Sequence, residues 1–354
     1  MAWYNASWTY RVKVTVLATK VDADITDFPI YVDLANLPAG FHTNVKSGGV
    51  DIRVTKSDGL TELPREIVYY NNAGDVGEMH FKGDVLNASD VDFYIYYGNS
   101  SASDYAVTDP YGANNVWSSA YKGVYHLGDG TTLGLSDSTS NANNVTNTSA
   151  TATTGKVKGG VDFGGSAGLT KTSPAGLLAT FPVTVEFWVK AASYAAYQYM
   201  AQASYYGGAT SILSIANQPG GQLYYYQNGA ARLSTSALST GVWNHIVLVF
   251  NSTTVATLYI NGVADTIAQP SGGWTLGAEA IYIGRLDNSS NALTGQMDEV
   301  RYGNHILSAT YVSTEYNNQN DASTFFTIGT EEENAVAATL NNIVSISNIT
   351  SIII

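Results

Sequence analysis

The chain has 354 residues, enough for two domains of ordinary size. Charged residues are 13% of it, against about 25% in soluble proteins generally. The formal net charge of −13 excludes the Lys- and Arg-driven counterion release on which nucleic-acid binding rests. Cysteine is absent, which excludes disulfides, thiolate metal sites and cysteine nucleophiles.

The opening MAWYNASWTYRVKVTVL has neither the basic start nor the unbroken apolar core of a signal peptide, so synthesis in the cytoplasm without export is expected. No run reaches the roughly 18 apolar residues that a membrane-spanning helix requires, and membrane insertion is not expected. From there, short runs alternate apolar and polar residues with period two: YRVKVTVLA, FPIYVDL, GVDIRVTK, VDFYIYYGN, VTVEFWVK, WNHIVLVF, TLYINGV and AIYIGRL. Rich in Val, Ile, Tyr, Phe and Thr and bounded by Gly, Asn, Asp and Pro, they predict strands joined by turns. Helical periodicity is nearly absent; LSATYVSTEYNNQ near 307–319 predicts one or two turns, and ENAVAATL from Glu333 is a second candidate. The fold class is therefore all-β, with sandwich or barrel architecture.

Two polar stretches punctuate the strands. Residues 98–115, GNSSASDYAVTDPYGANN, predict a linker, and 137–160, DSTSNANNVTNTSATATTGKVKGG, predict a long loop inside the second domain. The EEE at 331–333 reads as a solvated connector to an apolar tail. The expected division is an N-terminal β-sandwich at 1–110, a second sandwich at 111–330 and a C-terminal docking tail at 331–354.

WTYRVKVTV, DFPIYVDL, GGVDIRVTKSDG, LPREIVYY and FYIYYGN, in that order, resemble a family of small β-sandwich domains of unknown function that often precede laminin-G-like modules. After the linker, YKGVYHLGDG, GGVDFGGSAGL, VTVEFWVK, STGVWNHIVLVF, TLYINGV, IYIGR and GQMDEVRYGNHILSATYVSTEY resemble a concanavalin A-like, laminin-G-like jelly roll. The two resemblances cover nearly all of 3–320. They imply two antiparallel β-sandwiches used for adhesion or carbohydrate contact, with no catalytic role.

Fold does not fix function, so a catalytic role has to stand on the residues themselves. Retaining glucanases of concanavalin A-like fold need two carboxyls about 5 Å apart in one groove, which a strand supplies at even spacing. In GQMDEVRYG, regular alternation sends Asp298 and Glu299 to opposite faces, so they form no such pair. It also puts Glu299 and Arg301 together on the solvent face as an exposed ion pair, with Asp298 beginning the buried face. Glu186 stands alone in VTVEFWVK, so catalysis is not expected. The histidines are scattered without close ligand spacing, and a hydrogen-bonded structural role is favoured for His126 and His245.

A buried Asp298 needs backbone donors or a cation. In concanavalin A-like glucanases the similar Asp-x-Val-Arg-aromatic strand supplies a structural calcium ligand, and the resemblance carries that role to Asp298, leaving Ca2+ and backbone hydrogen bonding both open. For saccharide contact, residues 194–226 offer Tyr194, Tyr197, Tyr199, Tyr205, Tyr206, Tyr224, Tyr225 and Tyr226, interleaved with Gln198, Gln202, Asn217, Gln222 and Gln227. Flat rings stack on sugar faces and amides read hydroxyls, although tyrosine is also an ordinary strand and interface residue.

Together these features point to a non-catalytic structural or adhesive protein of a phage virion, in capsid decoration, a fibre or a tail. It would be made in the host cytoplasm and displayed on the virion surface. A surface glycan or a neighbouring subunit would be bound by the second domain, and the C-terminal tail would join another copy or another virion protein by strand addition. The alternative is an extracellular, cell-surface carbohydrate-binding adhesin; third is a glycoside hydrolase of concanavalin A-like fold.

Overall fold

The computed structural model describes residues 2–204, 211–227, 230–272, 277–287 and 291–334. They form two compact units, one made of Trp117–Asn320 and the other of the residues before 117 together with those from Asp321 onward.

In the first unit a five-stranded antiparallel sheet runs in the order Phe326–Glu333, Tyr10–Val16, Val91–Tyr97, Arg53–Lys56, Glu62–Leu63. A second sheet pairs Ile25–Asp33, Val76–Val85 and Arg65–Asn71. Alternation explains the layering: Val12, Val14 and Val16 are buried on one side of their strand, as are Ile30 and Val32 on theirs. Phe81 and Phe93, one from each sheet, meet edge to face with ring centroids 4.9 Å apart.

Two expectations for this unit need correction. Residues 98–115 are packed into it, with the Asn99 amide donating to Asp51 Oδ2 (3.0 Å) and Lys46 Nζ to the Ala102 carbonyl (2.7 Å). Glu331–Glu333 are not a solvated connector, because they continue an edge strand paired with Tyr10–Val12. Glu332 holds Arg11 at 2.6 Å and Glu331 accepts from the Tyr97 hydroxyl at 2.7 Å. The divisions thus fall at 116/117 and 320/321, against 110/111 and 330/331 expected. Of the proposed docking tail, 335–354 lies outside the described residues, as does most of ENAVAATL.

The second unit is two antiparallel sheets packed face to face. One has the order Ala230–Ala237, Gln222–Gln227, Ser211–Asn217, Gln198–Ser204, Ala280–Ile283, Gly168–Thr172, Thr146–Thr148. The other has the order Thr151–Thr154, Gly159–Asp162, Gly295–Gly303, Val183–Ala191, Asn244–Phe250, Ala256–Ile260, Val263–Asp265, with Tyr121–Tyr125 also on Gly295–Gly303. Leu169, Ile215 and Ile283 from one sheet join Val185, Phe187, Leu248 and Val300 from the other in one core. The helix Ala309–Asn320 is longer than predicted, and Val312 packs against Val247 and Val249 on the outer side of the second sheet.

The expected loop at 137–160 is ordered. Asp137 accepts from the amides of Val124, Thr139 and Asn143, which ties a run of turn-forming residues to the neighbouring strand. Two short strands follow, at Thr146–Thr148 and Thr151–Thr154.

Candidate functional site

The two outer faces of the second unit gather its functional side chains in different ways. On the Gly295–Gly303 strand, Arg301 pairs in register with Glu186 and Asp298 with Trp188. Phe187 between them therefore faces two residues, Glu299 and Val300, and Glu299 takes a φ of 48°. This is a β-bulge, and one extra residue shifts every later side chain to the other face. Met297, Val300 and Tyr302 consequently join the core, while Asp298, Glu299 and Arg301 point away from it.

The expected separation of Asp298 and Glu299 onto opposite faces fails here, since both point away from the core. Glu299 and Arg301 do pair on that outer face, but they are 0% and 1% exposed rather than on solvent, and Glu186 is not alone. The Arg301 guanidinium donates to Glu299, to Glu315 of the helix and to Glu186 (3.4 Å), and lies over the Trp117 ring, 4.9 Å from its centroid. Burial alone would lower the Arg301 pKa, but Glu315, Glu186 and Glu299 raise it well above its ordinary value.

His126 Nδ1 lies 2.5 Å from Glu299 Oε1, and His245 Nε2 lies 3.2 Å from Glu186 Oε1. Burial pushes the His245 pKa down to about 4. Trp188 donates its indole N–H to Gln319 of the helix (2.5 Å) and stacks on Tyr316 with centroids 5.6 Å apart. The hydrogen-bonded roles expected of the two histidines agree with this geometry. The three carboxyls are together, yet each is at most 2% exposed, so a polysaccharide has no path to them.

Asp298 is buried, as expected, but away from the core. Oδ1 accepts from the Glu299 amide (2.7 Å) and Oδ2 from the Val157 amide (2.7 Å). A Cβ on Gly155 would stand 2.4 Å from Oδ2, so backbone closes tightly around the carboxylate. N–H groups aimed at both oxygens suit an anion held by the chain, whereas Ca2+ calls for a ring of oxygen ligands. The N–H groups at Asp298 match the backbone-held alternative.

The other outer face belongs to the seven-stranded sheet. Tyr224, Tyr225 and Tyr226 alternate across it: Tyr225 is buried in the core and donates to the Ala268 carbonyl (2.7 Å), leaving its neighbours on the outside. Tyr194 is a core residue as well. Tyr197 and Tyr226 are 49% and 38% exposed. The Tyr224 ring lies edge to face with Tyr197 (5.9 Å) and Tyr199 (6.3 Å), and its hydroxyl donates to that of Tyr199 at 3.0 Å.

Four of the eight tyrosines therefore converge on one surface; Tyr205 and Tyr206 lie outside the described residues. Tyr282, which sequence reasoning passed over, stands in register beside Gln202 on that sheet. Of the intervening amides expected to read sugar hydroxyls, the Gln227 side chain lies outside the described residues and the other four hold backbone. Gln198 donates to the Ser193 carbonyl, Gln222 to the Ser234 carbonyl and Asn217 to the Ala196 carbonyl, while Gln202 accepts from the Asp287 amide.

Residues 163–313 match the family model described as the concanavalin A-like lectin/glucanases superfamily. The chain thus carries a concanavalin A-like, laminin-G-like domain, preceded by a β-rich unit. Among curated proteins none matches it. Similar solved structures include a botulinum neurotoxin serotype D binding domain, at 13% identity over 56% of this chain and 52% of that one, with a TM-score of 0.46. A botulinum neurotoxin serotype D ligand binding domain in complex with N-acetylneuraminic acid is 12% identical, covering 56% and 51%, with a TM-score of 0.45. Domain 4 of an extracellular arabinanase from Geobacillus stearothermophilus, in complex with arabinotriose, is 18% identical over 56% of this chain and 98% of that domain, with a TM-score of 0.42. The chain spans about half the length of the toxin domains it matches.

Proposed function

We propose that the second unit is a non-catalytic carbohydrate-recognition module, and that Tyr197, Tyr199, Tyr224 and Tyr226 form its contact surface for a neutral saccharide. The observation that carries this reading is the pair of exposed rings, Tyr197 and Tyr226, beside Tyr199, with the buried ring of Tyr224 (4% exposed) bracing Tyr197 and Tyr199 from beneath. Large rings left in water on a sheet whose other face is fully packed are poised to stack on a flat apolar partner, and tyrosine adds a hydroxyl at the rim. The hydroxyl-to-hydroxyl bond between Tyr224 and Tyr199 fixes two of the rings before any ligand arrives, which lowers the ordering cost of binding.

The setting we propose is a structural or adhesive component of a virion surface, in capsid decoration, a fibre or a tail. It would present this face to host glycan, with a cell-surface adhesin as the alternative. Low charge density supports a displayed structural role, and capsid and tail genes beside this one would separate the two settings. Glycoside hydrolysis is the third reading, and reducing-end release from a polysaccharide by the full chain would point to it.

Binding is tested by glycan-array screening of the full chain followed by calorimetry. Tyr226→Ala and Tyr197→Ala should each weaken the selected saccharide about two- to tenfold, in keeping with the roughly 0.5 to 1.5 kcal/mol that one aromatic contact contributes. Unchanged affinity in the double variant would remove these tyrosines from the site. If the same variants instead shift the oligomeric state, the patch belongs to a neighbouring subunit.

A further inference from the structure

Beneath the helix Ala309–Asn320, three carboxyls meet one guanidinium. Glu186 comes from the Val183–Ala191 strand, Glu299 from the bulge and Glu315 from the helix, and Arg301 reaches all three. Every one of these groups is at most 2% exposed. A single cation cannot neutralise three buried anions, and an uncompensated buried charge is costly.

Neighbouring elements do not make up the deficit at Glu186 and Glu315. His245, from the Asn244–Phe250 strand, sits 3.2 Å from Glu186 but is held neutral by burial. His126, after the Tyr121–Tyr125 strand, is engaged with Glu299. Tyr121 and Tyr311 bond each other at 2.9 Å, and burial keeps both phenols protonated. Oε2 of Glu186 and Oε2 of Glu315 are both buried without a hydrogen-bond partner, and a carboxyl oxygen of one lies within 4.8 Å of a carboxyl oxygen of the other.

We propose that Glu186 and Glu315 share one proton, and that this proton is the latch fastening the 309–320 helix to the sheet. Two carboxyls forced together in a dry site behave this way because both cannot ionise at once. Burial pushes both pKa values up, that of Glu315 to about 8, while Arg301 pulls against the shift. A divalent cation is the competing occupant, since one ligand atom from each of Glu186, Glu315 and His245 lies within 4.8 Å of the others. The guanidinium already bonded to both carboxyls favours the smaller charge of a proton.

The sign follows from Glu315. Its folded pKa of about 8 lies above its ordinary 4.5, so the folded state binds the extra proton. That contribution to stability is complete below about pH 4.5 and is lost as pH rises through about 8. Above that the pair carries two charges and the helix is pushed from its seat.

Hydrogen–deuterium exchange of the full chain tests this, with rates corrected for intrinsic base catalysis. Protection across 309–320 should fall about tenfold or more between about pH 6 and about pH 9.5, since each unit beyond the transition is worth a factor of ten. Glu315→Gln keeps the shape and a donor without a titratable proton, and should flatten that fall. Glu186→Gln serves as the second variant should the first not fold. At neutral pH an infrared difference spectrum should show a protonated carboxyl band that either variant removes. Flat, corrected exchange in the unaltered protein would overturn the latch, as would a band that survives both variants or stoichiometric metal retained through chelation.

Discussion

The two outer faces of the second unit use opposite chemistry. Below the helix, Glu186, Glu299, Glu315 and Arg301 are dry and locked together; on the seven-stranded sheet, Tyr197 and Tyr226 carry no charge and stand in solvent. An ionised group at the surface is stabilised by water and contributes little, whereas the same group under a helix must be matched by partners or by a proton. An aromatic ring behaves in the reverse sense, costing nothing when buried and leaving unsatisfied apolar area when exposed. On the proposed reading, charge here belongs to architecture and aromatic surface to recognition.

The contrast breaks most visibly at Arg301. Arg301→Ala strands three buried carboxyls, so stability should drop by about 3 to 5 kcal/mol, measured by urea denaturation; a loss below about 1 kcal/mol would mean that the cluster behaves like a surface network. Next comes Asp298, whose removal leaves two backbone N–H groups without an acceptor. Asp298→Ala should cost about 1 to 3 kcal/mol, and the thermal melt of the unaltered chain should not move with EDTA. A melt that EDTA lowers would restore the calcium role.

His245 supplies a pH-dependent arm. Its folded pKa of about 4 lies below the ordinary 6.5, so its stabilisation is present above about pH 6.5 and disappears as pH falls through about 4. His245→Gln should flatten that acid limb in melts at graded pH, and an unaltered limb would assign it to other groups. The smallest stability effect belongs to the recognition face, where Tyr197→Ala and Tyr226→Ala should each change stability by about 0.5 kcal/mol or less while saccharide binding falls. A variant that loses both together would show that the tyrosines are structural.

Strand positions were legible because period-two runs with turn residues between them leave few alternatives. The tyrosine face was half legible: alternation through Tyr224, Tyr225 and Tyr226 separates inside from outside, as the structure has it. The amides misled, because a strand sequence does not say whether Gln198 or Gln202 will be taken by a crossing loop. The buried cluster was not legible for two physical reasons. Nothing in GQMDEVRYG announces that Glu299 adopts a left-handed φ of 48°, and that one residue turns Met297 into the core and brings Asp298 onto the outer face with Arg301. The covering helix was hard to see as well, because the side it buries is polar, with Thr314, Glu315, Asn318 and Gln319 inside.

The edge strand Phe326–Glu333 also bears on the order in which the chain can fold. Its partner, Tyr10–Val16, emerges from the ribosome some three hundred residues earlier and must wait for it. Every residue of the second unit is synthesised in that interval. The unit that begins first is therefore finished last, and until Phe326–Glu333 arrives its Tyr10–Val16 strand keeps Arg11 and a row of backbone groups open to any passing strand.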